Sequence, residues 1–366
     1  MKSSFFLKRY ISLSPVVILS IFSLSFFIYL SARIFSPVAD FLNSTVSVFV
    51  RRMLGLFSSV FPFSFFELLV IMIIPIIGAV VLLGLKRGKT KEGRIKYTVS
   101  LISVISLIAT SYIYTLGFAY LTEPLADKLT IDSTSEITAE ELYGTALKVR
   151  DSVNEYASLV EFSSDRSVMD LSIDELSHEV YKGYERMLDD FPVFKNYKSR
   201  VKPVLFSTVM SDAGITGIYS FFTGEANINM EYPDCDLPFT AAHEVAHAHG
   251  FGREDEANFL AFLACTYSEN AYLKYSGYLN IFSYLASSLS RLDKELYKEI
   301  IEGLSDVAKA DIKASSAVTV SHSGAFLGKV NDKANDIYLK SNGTEGTVSY
   351  GYVVRLAVAY YKEYPT

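Results

Sequence analysis

The sequence predicts a mostly helical α+β protein, with three N-terminal transmembrane helices ahead of a domain that carries a small β-sheet. Three observations carry that expectation. Long uncharged apolar runs cluster in the first third of the chain, helix-start signals recur after residue 123, and residues 201–230 alternate and turn like short strands.

Residues 10–32, 68–85 and 97–122 hold no charged side chain. Each has the roughly 17–25 residues that an apolar helix needs to cross a hydrocarbon core. With their flanks they define spans of about 10–32, 64–86 and 97–122 within a membrane domain of residues 1–122. The first run follows Lys2, Lys8 and Arg9, as in a signal peptide, but it is long and lacks a small-residue cleavage site, so an uncleaved anchor is expected. Pro75, inside the second run, is tolerated in a membrane helix, where it kinks the chain. The N-terminal tail and the link 86–96, which has six basic residues and one Glu, belong in the cytoplasm by the positive-inside rule. Three spans then put residues 123–366 outside it. Arg33, Arg51 and Arg52, in the connecting loop 33–63, give a weaker signal of the opposite sense.

The net charge of −6 and the lack of a basic patch after the spans argue against a nucleic-acid partner. Cys235 and Cys265 would pair in an oxidising compartment or stay as solitary thiols, and both readings stand.

Beyond residue 123, Thr138 with Glu141 and Ser172 with Glu175 form capping boxes that open helices running to about Leu159 and Leu188. The stretches VKPVLFSTVM, GITGIYSFF and ANINMEY, broken by SDAG and TGE, suggest a small sheet. From Pro238 the pattern is helical almost to residue 310, with Gly250 placed to end one helix in a left-handed cap, and 350–362 reads as a last short helix. The Tyr-rich run 272–285 reads as core or membrane-facing packing, and GEANINMEY at 224–232 as either an edge strand that could pair with a peptide or an ordinary strand beneath a site.

The chemistry concentrates in AAHEVAHAHGFGREDEAN, residues 241–258, which holds three of the five histidines. On a helix, His243 and His247 share a face and can hold one zinc ion, while Glu244, about 100° around, can reach a water on that ion without binding it. A catalytic zinc needs a third protein ligand. Three residues past Gly250 stands Arg253, which cannot serve, so the acidic residues after it are the candidates. If a helix starts near Glu254, that residue shares the small-residue face of Ala257, Asn258, Ala261 and Ala264, with Asn258 as a supporting partner, whereas Glu256 lies about 200° away. Glu254 is favoured and Glu256 remains the alternative third ligand.

HEVAH followed by REDEAN resembles the gluzincin metallopeptidases, in which a downstream E-x-x-A-[DN] helix supplies the third ligand. The matching residues are His243, Glu244, His247, Glu254, Ala257 and Asn258. The gap between the two motifs is short here, where those proteases carry a long insertion. The chain is also similar to an uncharacterised family of bacterial membrane proteins with an HExxH motif, through GIYSFFTGEANIN, LPFTAAHEVAHAHGF and YLKSNGTEGTVSYG. The resemblance implies a zincin-like metallopeptidase domain outside the cytoplasm of a bacterial cell, with a peptide or protein substrate.

In that reading Zn2+ activates water, Glu244 is the general base, and an oxyanion donor comes from His249, Arg253, His322 or Tyr350. The bland readings make His249 a helix-end residue, His322 a loop histidine and His178 an exposed one. The competing function is a membrane scaffold or sensor with a structural or vestigial zinc site, which would draw on a cysteine.

Overall fold

The computed structural model describes residues 12–346 and 351–364. The apolar runs fold as three helices long enough to cross a membrane: α1 (Leu13–Ile34), which leads through α2 (Ser36–Leu42), a π-helical turn (Asn43–Ser47) and α3 (Val48–Ser59) to α4 (Phe65–Arg87) and α5 (Lys91–Thr115). The third starts six residues earlier than its uncharged run, because Thr90 caps it and the charged first turns continue the same helix. It stops at Thr115, where a short 3-10 turn, Gly117–Tyr120, takes over. Segment 33–63, read from the sequence as a loop, is therefore mainly helical.

All three long helices meet the rest of the protein at one end. Tyr29 near the end of α1 packs on Phe118, Ser64 at the start of α4 donates to Asn227 Oδ1 at 2.7 Å, and Thr115 at the end of α5 accepts from Arg51 at 3.0 Å. The tight α4–α5 turn, with its basic neighbours Lys86, Arg87, Lys89 and Lys91, thus lies at the far end of the spans.

Beyond the spans come α6 (Ala139–Ala157) and α7 (Ile173–Asp190), each opened by the expected capping box. Between them lies a hairpin of β1 (Glu161–Ser163) and β2 (Arg166–Val168) that the sequence reading did not anticipate. The three-stranded sheet has the order β3 (Val201–Val204), β5 (Glu225–Asn229), β4 (Gly217–Ser220), with β3 parallel and β4 antiparallel to β5. The stretch after β3 folds into a short helix, Ser207–Asp212, in place of a longer strand. GEANINMEY thus holds the central strand, and the free edges belong to β3 and β4. Local alternation could not reveal this, because the parallel β3–β5 pairing joins segments more than twenty residues apart.

The helical region divides into α8 (Leu237–His249), α9 (Glu254–Thr266), α10 (Ala271–Leu292), α11 (Lys294–Glu302), α12 (Asp306–Ser321) and α13 (Phe326–Ser341), and α14 (Val353–Glu363) closes the domain. The helical stretch thus continues about thirty residues past the expected end. The Tyr-rich run lies on α10, where Tyr272 and Tyr275 are buried and bond Ser167 and Asp311 at 2.8 and 2.7 Å, so it is core packing. Helices α9 and α10 approach closely at Gly277, where an added Cβ would sit 2.6 Å from Cys265 Cβ. Cys235 and Cys265 are both buried and free.

Two buried cations lock the spans to the domain. Lys202 on β3 pairs with Glu225 on β5 and donates to the Ser58 and Phe63 carbonyls at 2.7 and 2.8 Å. Glu225 in turn accepts from the Phe65 and Phe66 amides at the start of α4, where the helix dipole favours a carboxylate. Arg51 on α3 is the second. Its guanidinium donates to Ala248 O at 2.9 Å, Thr115 O at 3.0 Å and Asn43 Oδ1 at 2.9 Å. Arg51 is therefore a structural charge and carries no topological signal. Replacing it, as in Arg51→Leu, strands buried acceptors that cost about 1–3 kcal/mol each. The apparent melting temperature in detergent should fall by roughly 5 °C or more; an unchanged midpoint would refute the role assigned to this side chain.

Candidate metal centre

Helix α8 carries the histidines and ends at Gly250, which takes φ +100°. Only a residue without Cβ fits there, since an added Cβ would meet Arg51 Nη2 at 2.2 Å. The chain then turns through Phe251–Arg253 and starts α9 at Glu254. Two helices thus meet after a four-residue turn, 250–253, and their facing side chains converge.

His243 and His247, one turn apart, bring their Nε2 atoms to 3.1 Å of each other. Glu254 Oε2 lies 3.2 Å from the first and 3.7 Å from the second. Among the described residues this is the one group of three or more potential ligands whose donor atoms lie within 4.8 Å of one another. Zinc bonds of about 2.0–2.1 Å in a tetrahedron place donors about 3.3–3.4 Å apart, and the observed spacings bracket that value.

The outer ring nitrogens support the same geometry. His247 Nδ1 bonds Phe251 O at 2.7 Å, and His243 Nδ1 bonds Asn258 Oδ1 at 2.9 Å. In its neutral form an imidazole that donates from Nδ1 keeps its lone pair on Nε2, facing the cluster. The donor set fits a zinc ion.

Glu256, the alternative ligand, is engaged elsewhere. Its Oε1 accepts from Leu125 N at 2.9 Å and Arg253 Nη1 at 2.8 Å, and Arg253 also donates to Thr122 O at 2.9 Å. These bonds tie the start of α9 to the chain that follows α5. Arg253, a candidate oxyanion donor from sequence, is therefore occupied by structural partners.

Glu244 is buried beside the cluster and faces β4. An added Cβ at Gly217 would lie 2.6 Å from Glu244 Oε1, so the glycine makes room for the carboxylate. The Tyr219 N–H on the free edge of β4 slightly favours its charged form. Burial raises the Glu244 pKa; His243 and His247 oppose that shift and Glu254 adds to it. Burial pushes the His247 imidazole down, but the Glu254 carboxylate outweighs it and carries the group up to about 9. Burial likewise pushes Glu254 up, and His247 and His243 together hold it well below the usual carboxylate range.

The other histidines lie apart. His249 is buried among Tyr184, Phe194 and Tyr197, bonds Val245 O at 2.8 Å, and is lowered by burial to about 4. It is a neutral core residue at the helix end. His322 caps α12 and bonds Asp212 at 2.7 Å, with Glu231 at 3.5 Å from its other nitrogen. His178 is exposed, and Tyr350 lies outside the described residues. Sequence reading missed Gly217, Tyr219 and Arg51. A glycine inside a strand pattern, GITGIY, was the available sign of a close approach.

Fold and cluster together define a helical membrane protein with a His–His–Glu cluster near the domain end of its spans. The chain belongs to the family described as "Protein of unknown function (DUF3810)", which matches residues 42–358 and so includes the whole cluster. No curated protein and no solved structure matches it.

Because His247 holds a proton up to about pH 9, a metal that binds its Nε2 must displace that proton. Zinc affinity measured by calorimetry should therefore rise about tenfold per pH unit from pH 6 towards 9 and then level off. Asn258→Ala should weaken binding about 10–100-fold by freeing the His243 ring. A flat pH profile would contradict the assigned donor set.

Proposed function

We propose that this chain is a membrane-anchored zinc metallopeptidase with a zincin-like domain that stands outside the cytoplasm of a bacterial cell. The observation that carries this is the three-donor cluster with the buried Glu244 carboxylate directly beside it. His243, His247 and Glu254 would hold the ion. When bound there, zinc supplies Lewis acidity and brings the pKa of a coordinated water towards neutrality.

The chain's own residues supply the rest. Glu244, with a pKa raised by burial, is suited to accept a proton on its carboxylate and return it to a leaving amine. Gly217, which has no Cβ, leaves that carboxylate its place against β4. The free edge of β4 runs past Glu244, and an extended peptide can pair with such an edge, which supports a peptide or protein as the substrate. The basic α4–α5 turn at the end of the spans away from the domain supports a cytoplasmic turn and an extracytoplasmic domain. A scaffold or sensor with a structural zinc would draw on a sulfur donor, and neither Cys235 nor Cys265 belongs to the cluster.

The test compares membranes that contain the wild-type chain with membranes that contain Glu244→Gln. The variant should retain zinc and lose every chain-dependent cleavage product seen by proteomics. Gly217→Ala, which crowds the same carboxylate, should keep zinc and slow cleavage by about tenfold or more. Purified protein that binds no zinc sinks the whole reading; zinc binding with cleavage that persists in Glu244→Gln sinks the assigned mechanism.

A further inference from the structure

Helix α3 is built inside out. Its buried face carries Ser47 at its N-cap, Arg51 and Ser58, whereas Phe49, Met53, Leu56 and Val60, which follows its last residue, are 64, 50, 46 and 75 % exposed. At 100° per residue the four apolar positions fall within an arc of about 60°, and the three polar ones centre on the opposite side. A helix on the surface of a water-soluble protein shows the reverse arrangement. Its outward face therefore meets a solvent that is itself apolar.

We propose that α2 and α3 form an in-plane membrane element, immersed by this apolar face in the leaflet on the domain side. Continuity with the spans identifies the bilayer as the occupant. A single residue, Phe35, separates α1 from α2, and five residues, 60–64, separate α3 from α4. Both ends of the segment are thus held at the domain end of a span, so its length lies along that surface. The apolar surface extends to the exposed Leu205 and Phe206, whose loop is pinned to the first turn of α4 by a 2.8 Å bond from Phe206 N to Glu67 Oε1. Arg52, exposed on the flank of the stripe, can extend its guanidinium to the headgroups. Interfacial helices of this kind sink about 5–10 Å into the boundary between headgroups and acyl chains.

The opposite face of α3 holds the end of α8 through Arg51, bonded to Ala248 O and His249 O at 2.9 and 3.4 Å. The immersed element therefore fixes the histidine helix directly above the bilayer. This inference does not depend on the hydrolytic reading of the site.

The chain has no tryptophan, so one introduced residue is a sole reporter. Phe49→Trp, Met53→Trp and Val60→Trp are each made in the full chain and placed in nanodiscs of plain or brominated lipid. Leu292→Trp, 62 % exposed where α10 gives way to α11, is the comparison. Fluorescence of the three α3 reporters should fall about twofold or more in brominated lipid and resist aqueous iodide, with the opposite pattern at Leu292. Leu56→Trp replaces any variant that does not elute as a single species. Iodide quenching of the α3 reporters overturns the proposal, as does protection from both quenchers, which would mean that a second copy or another protein covers the face.

Discussion

The architecture depends on one buried guanidinium. Arg51 lies where two helices end, and its bonds go to main-chain oxygens at the C-termini of both, Thr115 of α5 and Ala248 of α8. Helix C-termini offer carbonyls without intrahelical partners and the negative end of the helix dipole, so a cation is well placed there. Asn43 completes the arrangement, accepting from Arg51 and donating to Gly250 O at 2.9 Å. Space for the guanidinium exists because Gly250 has no side chain. One residue thus fixes where the histidine helix stops, and hence where the turn to Glu254 begins.

That stop sets the register of the His–His–Glu cluster. Phe251 returns its carbonyl to His247 Nδ1, and Arg253 anchors the start of α9 to Thr122 and Glu256. With Glu256 held by Arg253 and the Leu125 amide, Glu254 is the carboxylate left to face the two imidazoles. A shift of one residue in this turn would rotate α9 by about 100° and carry Glu254 away from them. The short turn therefore does the work of a longer connection only because both of its ends are pinned.

Much of this was legible in the sequence, and the reasons differ by element. The spans showed as uncharged apolar runs, the capping boxes at Thr138 and Ser172 as local side-chain chemistry, and Gly250 as a cap. The preference for Glu254 over Glu256 came from helical periodicity, and the structure turns those two carboxylates to opposite tasks. What stayed hidden depends on pairing at a distance. The parallel β3–β5 ladder placed GEANINMEY in the centre of the sheet, and no local pattern encodes strand order. Arg51 reads as a charge in a connecting loop, and Lys202 as one residue of a strand, until their partners, about 200 and 23 residues away, are seen. Within segment 33–63, read as a loop, the polar Ser47, Arg51 and Ser58 of α3 face inward and Phe49, Met53 and Leu56 outward, which inverts the usual code.

That inversion and the His–His–Glu cluster bear on each other through α3. The site is assembled from side chains of α8 and α9, whose ends are tied to α3, to the end of α5 and to the chain beyond it, all at the domain end of the spans. Water at the apolar face of α3 would favour a different packing of that helix, because about 25 cal/mol is lost for each Å² of apolar surface left wet. Any repacking that moved Arg51 would strand the carbonyls that end α8 and release the turn that positions Glu254. The lipid surface is in this sense part of what holds the three donors together. It also explains why a polar, hydrogen-bonded seam, Arg51, Asn43, Lys202 and Glu225, runs between the membrane segment and the domain: in an apolar setting each of those groups must find its partner inside the protein.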